Sequence, residues 1–156
     1  MSRGEPVFSR AEIESVDAQA LIAALDEELE ERYPEEGANH FRLDPEEVAP
    51  GRGCFLIARV DRMAVACGAV RLNDRTTAEI KRMYTVPAMR GRGLARRLLD
   101  ELIAQARTLG ARRIVLETGE RQTESLALYR KAGFVEIPLF GEYEGSPLSI
   151  CMEKQL

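Results

Sequence analysis

The run from Ala78 to Leu109, AEIKRMYTVP followed by AMRGRGLA and RRLLDELIAQARTL, restricts this chain more than any other stretch. A segment with β-branched and aromatic residues enters a proline turn, then a glycine-bearing loop that opens directly into an amphipathic helix. The first N–H groups of a helix have no partner inside it, and the helix dipole favours negative charge there, so strand, turn and helix together predict an anion cradle. Gly91 and Gly93 allow the backbone close to such a ligand. No Gly-Lys-Ser/Thr follows, so the loop is not a mononucleotide P-loop, and the glycine spacing is not that of a dinucleotide fold. Arg90, Arg92, Arg96 and Arg97 surround the loop, but helix geometry keeps all four from facing one ligand, and one or two are expected to bind it. The plain alternative is a turn made by glycines beside a solvated arginine face.

Upstream, Val7–Ile13 reads as a first strand and Asp17–Arg32 as a helix, with Leu21, Leu25 and Leu29 four apart and glutamates on the remaining surface. Pro34 ends it. Residues 35–53 form a loop with a single helical turn at Pro45–Val48 and carry His40, the only histidine, which reads as a surface residue. Cys54–Val60 and Met63–Leu72 pair as a hairpin about Asp61-Arg62, and a second turn leads into the strand Thr77–Thr85. The central helix buries a stripe through Leu94, Leu98, Leu102, Ala106 and Leu109, and Gly110 ends it. Arg113–Thr118 is a short apolar strand suited to parallel pairing after a crossover. Thr123–Lys131 is a further helix, and Phe134–Ile137 and Leu148–Glu153 close the chain as two strands joined by PLFGEYEGSP.

This order predicts one mixed α/β domain over residues 1–156: a sheet of six or seven strands, antiparallel at its N-terminal end, with one parallel crossover pair and helices on both faces. An acidic chain, net charge −4, argues against nucleic acid as a partner, whereas the local basic cluster RGRGLARR suits a small polyanion. No apolar run is long enough for a bilayer and MSRGEPVFSR is not a signal peptide, so no membrane partner and a cytoplasmic location are the expectation. Cys54, Cys67 and Cys151 are widely spaced in apolar strands and offer neither a metal spacing nor a disulfide framework, so metal ligands are expected to be none. Oligomeric state is open, with a homodimer as the default.

Arg90-Gly91-Arg92-Gly93-Leu94-Ala95, set between Tyr84-Thr85-Val86-Pro87 and a long helix, with Leu128-Tyr129-Arg130-Lys131-Ala132-Gly133-Phe134 downstream, resembles the GNAT superfamily of acetyltransferases. The resemblance runs from about Cys54 to Lys154; the N-terminal third matches only in its order of elements. It implies a GNAT-like fold and an N-acetyltransferase that passes an acetyl group from acetyl-CoA to a primary amine by direct attack, through a tetrahedral intermediate. The implied cofactor-binding residues are Met83, Tyr84 and Thr85 on the strand, Arg90 to Ala95 in the loop, and Gln122 and Ser125 by the pantetheine arm. Thr85 stands where valine is usual, and Gln122 and Ser125 where asparagine and alanine are frequent.

Glu79 matches the strand position at which some family members keep a general base. An alkylamine with a pKa of about 10.4 is protonated at neutral pH, so a carboxylate must accept a proton. A strand glutamate beside arginines is equally a structural ion pair. Tyr129 matches the tyrosine that assists the departing coenzyme A thiolate. A phenol near pKa 10 protonating a thiolate near 8.5 runs uphill by roughly 2 kcal/mol, so a strong hydrogen bond is as good a description as full transfer. Glu117 and Glu142 are candidates for holding the acceptor, with Tyr143 closing over it, and three carboxylates compete for two roles. No cysteine has a polar setting, which disfavours a covalent enzyme intermediate. The competing readings are a non-catalytic CoA-binding or sensing module on the same fold, and an interaction protein docking through its acidic first helix.

Overall fold

A computed structural model of the chain describes residues 4–35 and 43–156, and His40 lies outside the described residues. The elements in order are β1 (Val7–Arg10), α1 (Val16–Arg32), β2 (Gly53–Val60), β3 (Met63–Leu72), β4 (Thr77–Thr85), α2 (Leu94–Thr108), β5 (Arg113–Gly119), α3 (Thr123–Lys131), β6 (Val135–Ile137) and β7 (Ser149–Gln155). They form one seven-stranded sheet in the order β1-β2-β3-β4-β5-β7-β6. All ladders are antiparallel except β4 with β5. This is the mixed sheet with one parallel pair that the sequence predicts.

Local chemistry explains the turns. Asp61 and Arg62 both take positive φ, 50° and 71°, as a two-residue hairpin loop requires. The first strand is shorter than the expected Val7–Ile13. After one further bond, from the Ala11 amide to the Phe55 carbonyl at 2.9 Å, the chain leaves the sheet edge and Ile13 turns in beneath α1. Ser15 then caps α1 by accepting from the Ala18 amide at 3.3 Å, a contact worth about 1 kcal/mol.

Helices cover both faces. On one, Leu98, Leu99 and Leu102 of α2 are wholly buried with Leu126 and Tyr129 of α3 against Ile80, Ile114 and Leu116. On the other, Leu21 and Leu25 of α1 pack on Phe55, Ile57 and Cys67. Burial of each such leucine contributes about 1.5–3 kcal/mol, so both helices are fixed to the sheet between them.

The feature that makes a site is a bulge in β4. Cys67 pairs with Tyr84, but Ala69 pairs with Lys81, so one extra β4 residue is accommodated at Arg82 and Met83. Arg82 takes φ 60° there. That conformation costs a non-glycine residue on the order of 1–2 kcal/mol, and the side chain is anchored by an ion pair to Asp26 at 2.6 Å. Bulges bend and twist a strand. Parallel pairing of β4 with β5 runs from Thr77↔Arg113 to Ile80↔Leu116 and stops, although β4 continues to Thr85 and β5 to Gly119. The sheet is therefore split at its centre.

Candidate active site

The split opens into a cavity of about 590 Å³. Lys81, Arg82 and Met83 line it from β4, Glu117, Thr118 and Gly119 from β5, Gln122 from the cap of α3, and Ser125 and Tyr129 from α3 itself. Leu25 and Leu29 of α1, Tyr33 at its C-terminal cap, Glu35 and the 142–149 segment also line it. Beyond Ile80 the β4 edge that faced β5 has no strand partner, and the gap lies open beside it.

At the start of α2, Gly91 and Gly93 both sit at φ 78°. A Cβ on either would meet no protein atom within 4 Å. Glycine is thus demanded here by backbone conformation, not by crowding from the protein as it stands, and the space before the loop is open. Among the described residues, the amides of Gly91 to Arg96 make no backbone hydrogen bond within the loop, while the Arg97 amide returns to the Gly93 carbonyl at 3.2 Å. The cradle has the free donors that an anion needs. Of its four arginines, Arg90 is occupied by the Thr85 carbonyl and Glu28, Arg96 by Asp100 and Arg97 by Glu5. Arg92 is exposed and pairs with none of the described residues.

The two proposed catalytic residues sit differently. Tyr129 is 5% exposed and reaches the cavity from α3. Burial, and then the charge of Glu117, push its phenol above the usual value. Glu79 is 1% exposed and lines not this cavity but a second one of about 450 Å³ beside it. Its carboxylate accepts from Arg71 at 3.2 Å, Asn73 at 3.0 Å and the Tyr143 hydroxyl at 2.6 Å. With three donors it has the surroundings of a structural ion pair. Arg71 also meets Glu47, and Glu142 at 3.7 Å.

Glu117, read from the sequence as an acceptor ligand, lines the split on β5, in a cavity that Glu35, Glu142 and Glu144 also line. Burial raises its pKa, opposed by the Ser149 hydroxyl, which donates to it at 2.6 Å. Tyr143, expected to close over the acceptor, is 2% exposed, and with Glu142 it forms the wall shared by the two cavities. Burial and then Glu79 raise its phenol strongly. Gln122 lines the cleft and also accepts the Gly119 amide at 3.0 Å, which fixes the β5 to α3 turn.

Sequence reasoning did not single out Lys81, Arg71, Ser149 or Tyr33. Lys81 had a signal, since it stands two residues after Glu79 and shares its face of the strand. Arg71 needed the hairpin register that sets it against Glu79. Tyr33, whose hydroxyl accepts the Arg121 amide at 2.7 Å and ties the end of α1 to the cleft, had none.

All three cysteines are free and buried. Burial pushes Cys67 up to about 12 and Cys151 to about 11, far from the depressed pKa of a nucleophilic thiol. A thiol reagent is expected to label the native protein over hours and to titrate all three at once after unfolding; rapid labelling of one native thiol contradicts this.

A split sheet with an open anion cradle at one end and titratable groups at the other defines an acyl-CoA-dependent transferase. The profile of the acetyltransferase (GNAT) family matches residues 18–134, reaching further back than the sequence resemblance did, and the chain belongs to that family as an acetyl-CoA-dependent acetyltransferase. It is similar to an IAA acetyltransferase of Azospirillum brasilense, 42% identical over 87% of this chain and 88% of that one. A crystal structure from Klebsiella pneumoniae, of a protein assigned as an acyl-CoA N-acyltransferase, superposes with a TM-score of 0.81 at 33% identity over 97% of both chains. A GNAT acetyltransferase from Elizabethkingia anophelis, solved with acetyl-CoA bound, shares the fold with a TM-score of 0.70 at 17% identity, covering 97% of this chain and 98% of that one. Among the described residues no helix is long and apolar enough to cross a membrane.

Proposed function

We propose that the protein transfers the acetyl group of acetyl-CoA to a primary amine, of a small molecule or peptide, by direct attack of the amine on the thioester. The observation that carries this reading is the split itself: the last β4–β5 pair, Ile80↔Leu116, is followed on one side by a stretch of β4 that no longer pairs with β5 and on the other by Glu117, with Tyr129 behind.

Bound acetyl-CoA supplies an activated acyl carbon and a thiolate leaving group. The amides from Gly91 to Arg96, with Arg92, hold its anionic part. Main-chain groups of Met83, Tyr84 and Thr85 are the donors and acceptors for the acyl end and arm, flanked by Gln122 and Ser125. Glu117 accepts the proton of the attacking amine. Burial moves its carboxyl toward the working pH, which narrows the gap to an amine near 10.4 and makes it a better base than an exposed carboxylate. Glu79 holds Tyr143 in place, so its part is positioning. Tyr129 donates a hydrogen bond to the departing sulfur; because its pKa is raised further, full proton transfer is less favourable than for an ordinary phenol, and stabilisation by the bond is the larger effect.

A thiol-release screen of amines with acetyl-CoA tests the reading. Release only when an amine is present supports it. CoA binding with no release for any amine identifies a binding module instead. Removal of the Tyr129 hydroxyl, Tyr129→Phe, is expected to lower kcat about tenfold, the worth of one hydrogen bond to a developing charge, and to leave CoA affinity unchanged by calorimetry. Unaltered turnover removes Tyr129 from the mechanism.

A further inference from the structure

Beyond the last paired residues of β4 and β5, the next two in register are Lys81 and Glu117. Residues opposite each other on neighbouring strands point to the same face, so a cation and a carboxylate flank the opening from its two sides. Both line the cavity. We propose that the acceptor is an α-amino acid, its amino group facing Glu117 and its carboxylate facing Lys81. The proposal rests on the acetyl-transfer reading and names the substrate of that site.

Three observations carry it. Lys81 is 7% exposed, so its ammonium has been taken out of water, a position that is stable only among charges that compensate it. Glu142, 3.4 Å from its Nζ, is shared with Arg71, which also holds Glu47 and Glu79. Cation and anion are thus interleaved, and the site is not a sink for positive charge alone. Second, the strands here begin to part from a spacing of about 4.8 Å, and an α-amino acid carries both its charged groups on a single carbon, which suits one partner on each side of so narrow a gap. Third, part of the cavity lining is apolar, built by Leu25 and Leu29 of α1 and by Leu148. It offers a surface to a side chain, in a cavity whose other charged lining residues are Glu35, Arg82, Glu142 and Glu144.

The ionisation of the pair agrees with this geometry. Burial, and then the neighbouring Arg71, lower the Lys81 pKa, while burial raises that of Glu117. A zwitterion relieves both at once. A simple alkylamine relieves only Glu117, and a diamine sets its second cation against Lys81. A peptide N-terminus has an amide where the carboxylate would be, and so leaves the lysine as it was.

The experiment compares the L-amino acids with their amides as acceptors, by thiol release from acetyl-CoA, in the wild-type protein, Lys81→Met and Lys81→Arg. At least one amino acid is expected to exceed its amide tenfold or more in kcat/KM, although the amide is the less protonated amine. Lys81→Met is expected to abolish that preference through KM, and Lys81→Arg, which keeps the charge, to retain most of it. Titration of the same amino acid into protein holding CoA, where no turnover occurs, is expected to show at least tenfold weaker binding to Lys81→Met, with the amide bound alike by both. Amides and simple amines used as well as amino acids, with Lys81→Met indifferent, overturn the proposal and leave the transferase reading intact. No thiol release with any amine removes the transferase reading, and the proposal with it.

Discussion

Gly93→Asp is expected to weaken CoA binding by a hundredfold or more while the protein stays folded. The residue sits at φ 78° as the cap of α2, with nothing of the protein within 4 Å of where a Cβ would be. Aspartate is among the side chains that best tolerate this left-handed conformation, and no neighbour is displaced, so the fold loses on the order of 1 kcal/mol and the melting temperature moves by only a few degrees. The ligand loses much more. A carboxylate then projects into the space before the free amides of Gly91 to Arg96, where the helix dipole and Arg92 favour the diphosphate, and repulsion replaces attraction in the same place. Calorimetric titration with CoA is the measurement. Gly93→Ala separates the two contributions, because it brings the backbone strain without the charge and is expected to cost affinity far less. Full affinity in Gly93→Asp, with an unchanged melting curve, contradicts the cradle.

Much of this site was legible in the residues because it is local in sequence. The glycine loop, its helix and the strand before it are continuous from Ala78 to Leu109, and a single period change along that run announces them. Tyr129 came with its own surrounding pattern, and the burial of Leu98, Leu99 and Leu102 followed from helical spacing. What escaped depends on registers between strands. The bulge at Arg82 that splits the sheet carries no glycine on its own strand, and the glycine opposite it, Gly68, lies on β3. The assignment of Glu79 against Glu117 turned on it: both lie on strands that adjoin in the sheet, but Glu79 falls before the split, against Arg71, and Glu117 falls after it. Strand spacing cannot distinguish these, since it does not say where pairing ends. Tyr143 was named as a candidate, but its partner was not. Its hydroxyl finds Glu79 across 64 positions of sequence, a contact that spacing along the chain does not announce.

The proposal of Glu117 as the base, in place of Glu79, yields the second large effect: Glu117→Gln is expected to reduce kcat with amine acceptors by about a hundredfold or more, within the range of about 10²–10⁴ that general base catalysis contributes. Glutamine keeps the shape and still accepts from the Ser149 hydroxyl, so CoA affinity is expected to be unchanged. Glu79→Gln is expected to act otherwise, by loosening Tyr143 and Arg71, with a change in KM and stability larger than its change in kcat. The pH dependence fixes the sign. Wild-type kcat/KM should fall as pH drops through the Glu117 pKa, and that acid limb should lie above the ordinary glutamate value of 4.5 because burial raises it; in Glu117→Gln the limb should vanish. The same shift acts on stability. A carboxyl whose folded pKa is raised carries no penalty below its unfolded pKa, where it is protonated in both states, and an increasing one as pH climbs to its folded pKa, above which the penalty is constant. Glu117→Gln should therefore melt higher than the wild type at neutral pH, with the difference closing in acid, a gain in stability at the expense of activity that is expected of a functional group and not of a structural one. A variant that melts lower at neutral pH, or that retains the acid limb, returns the base to another carboxylate.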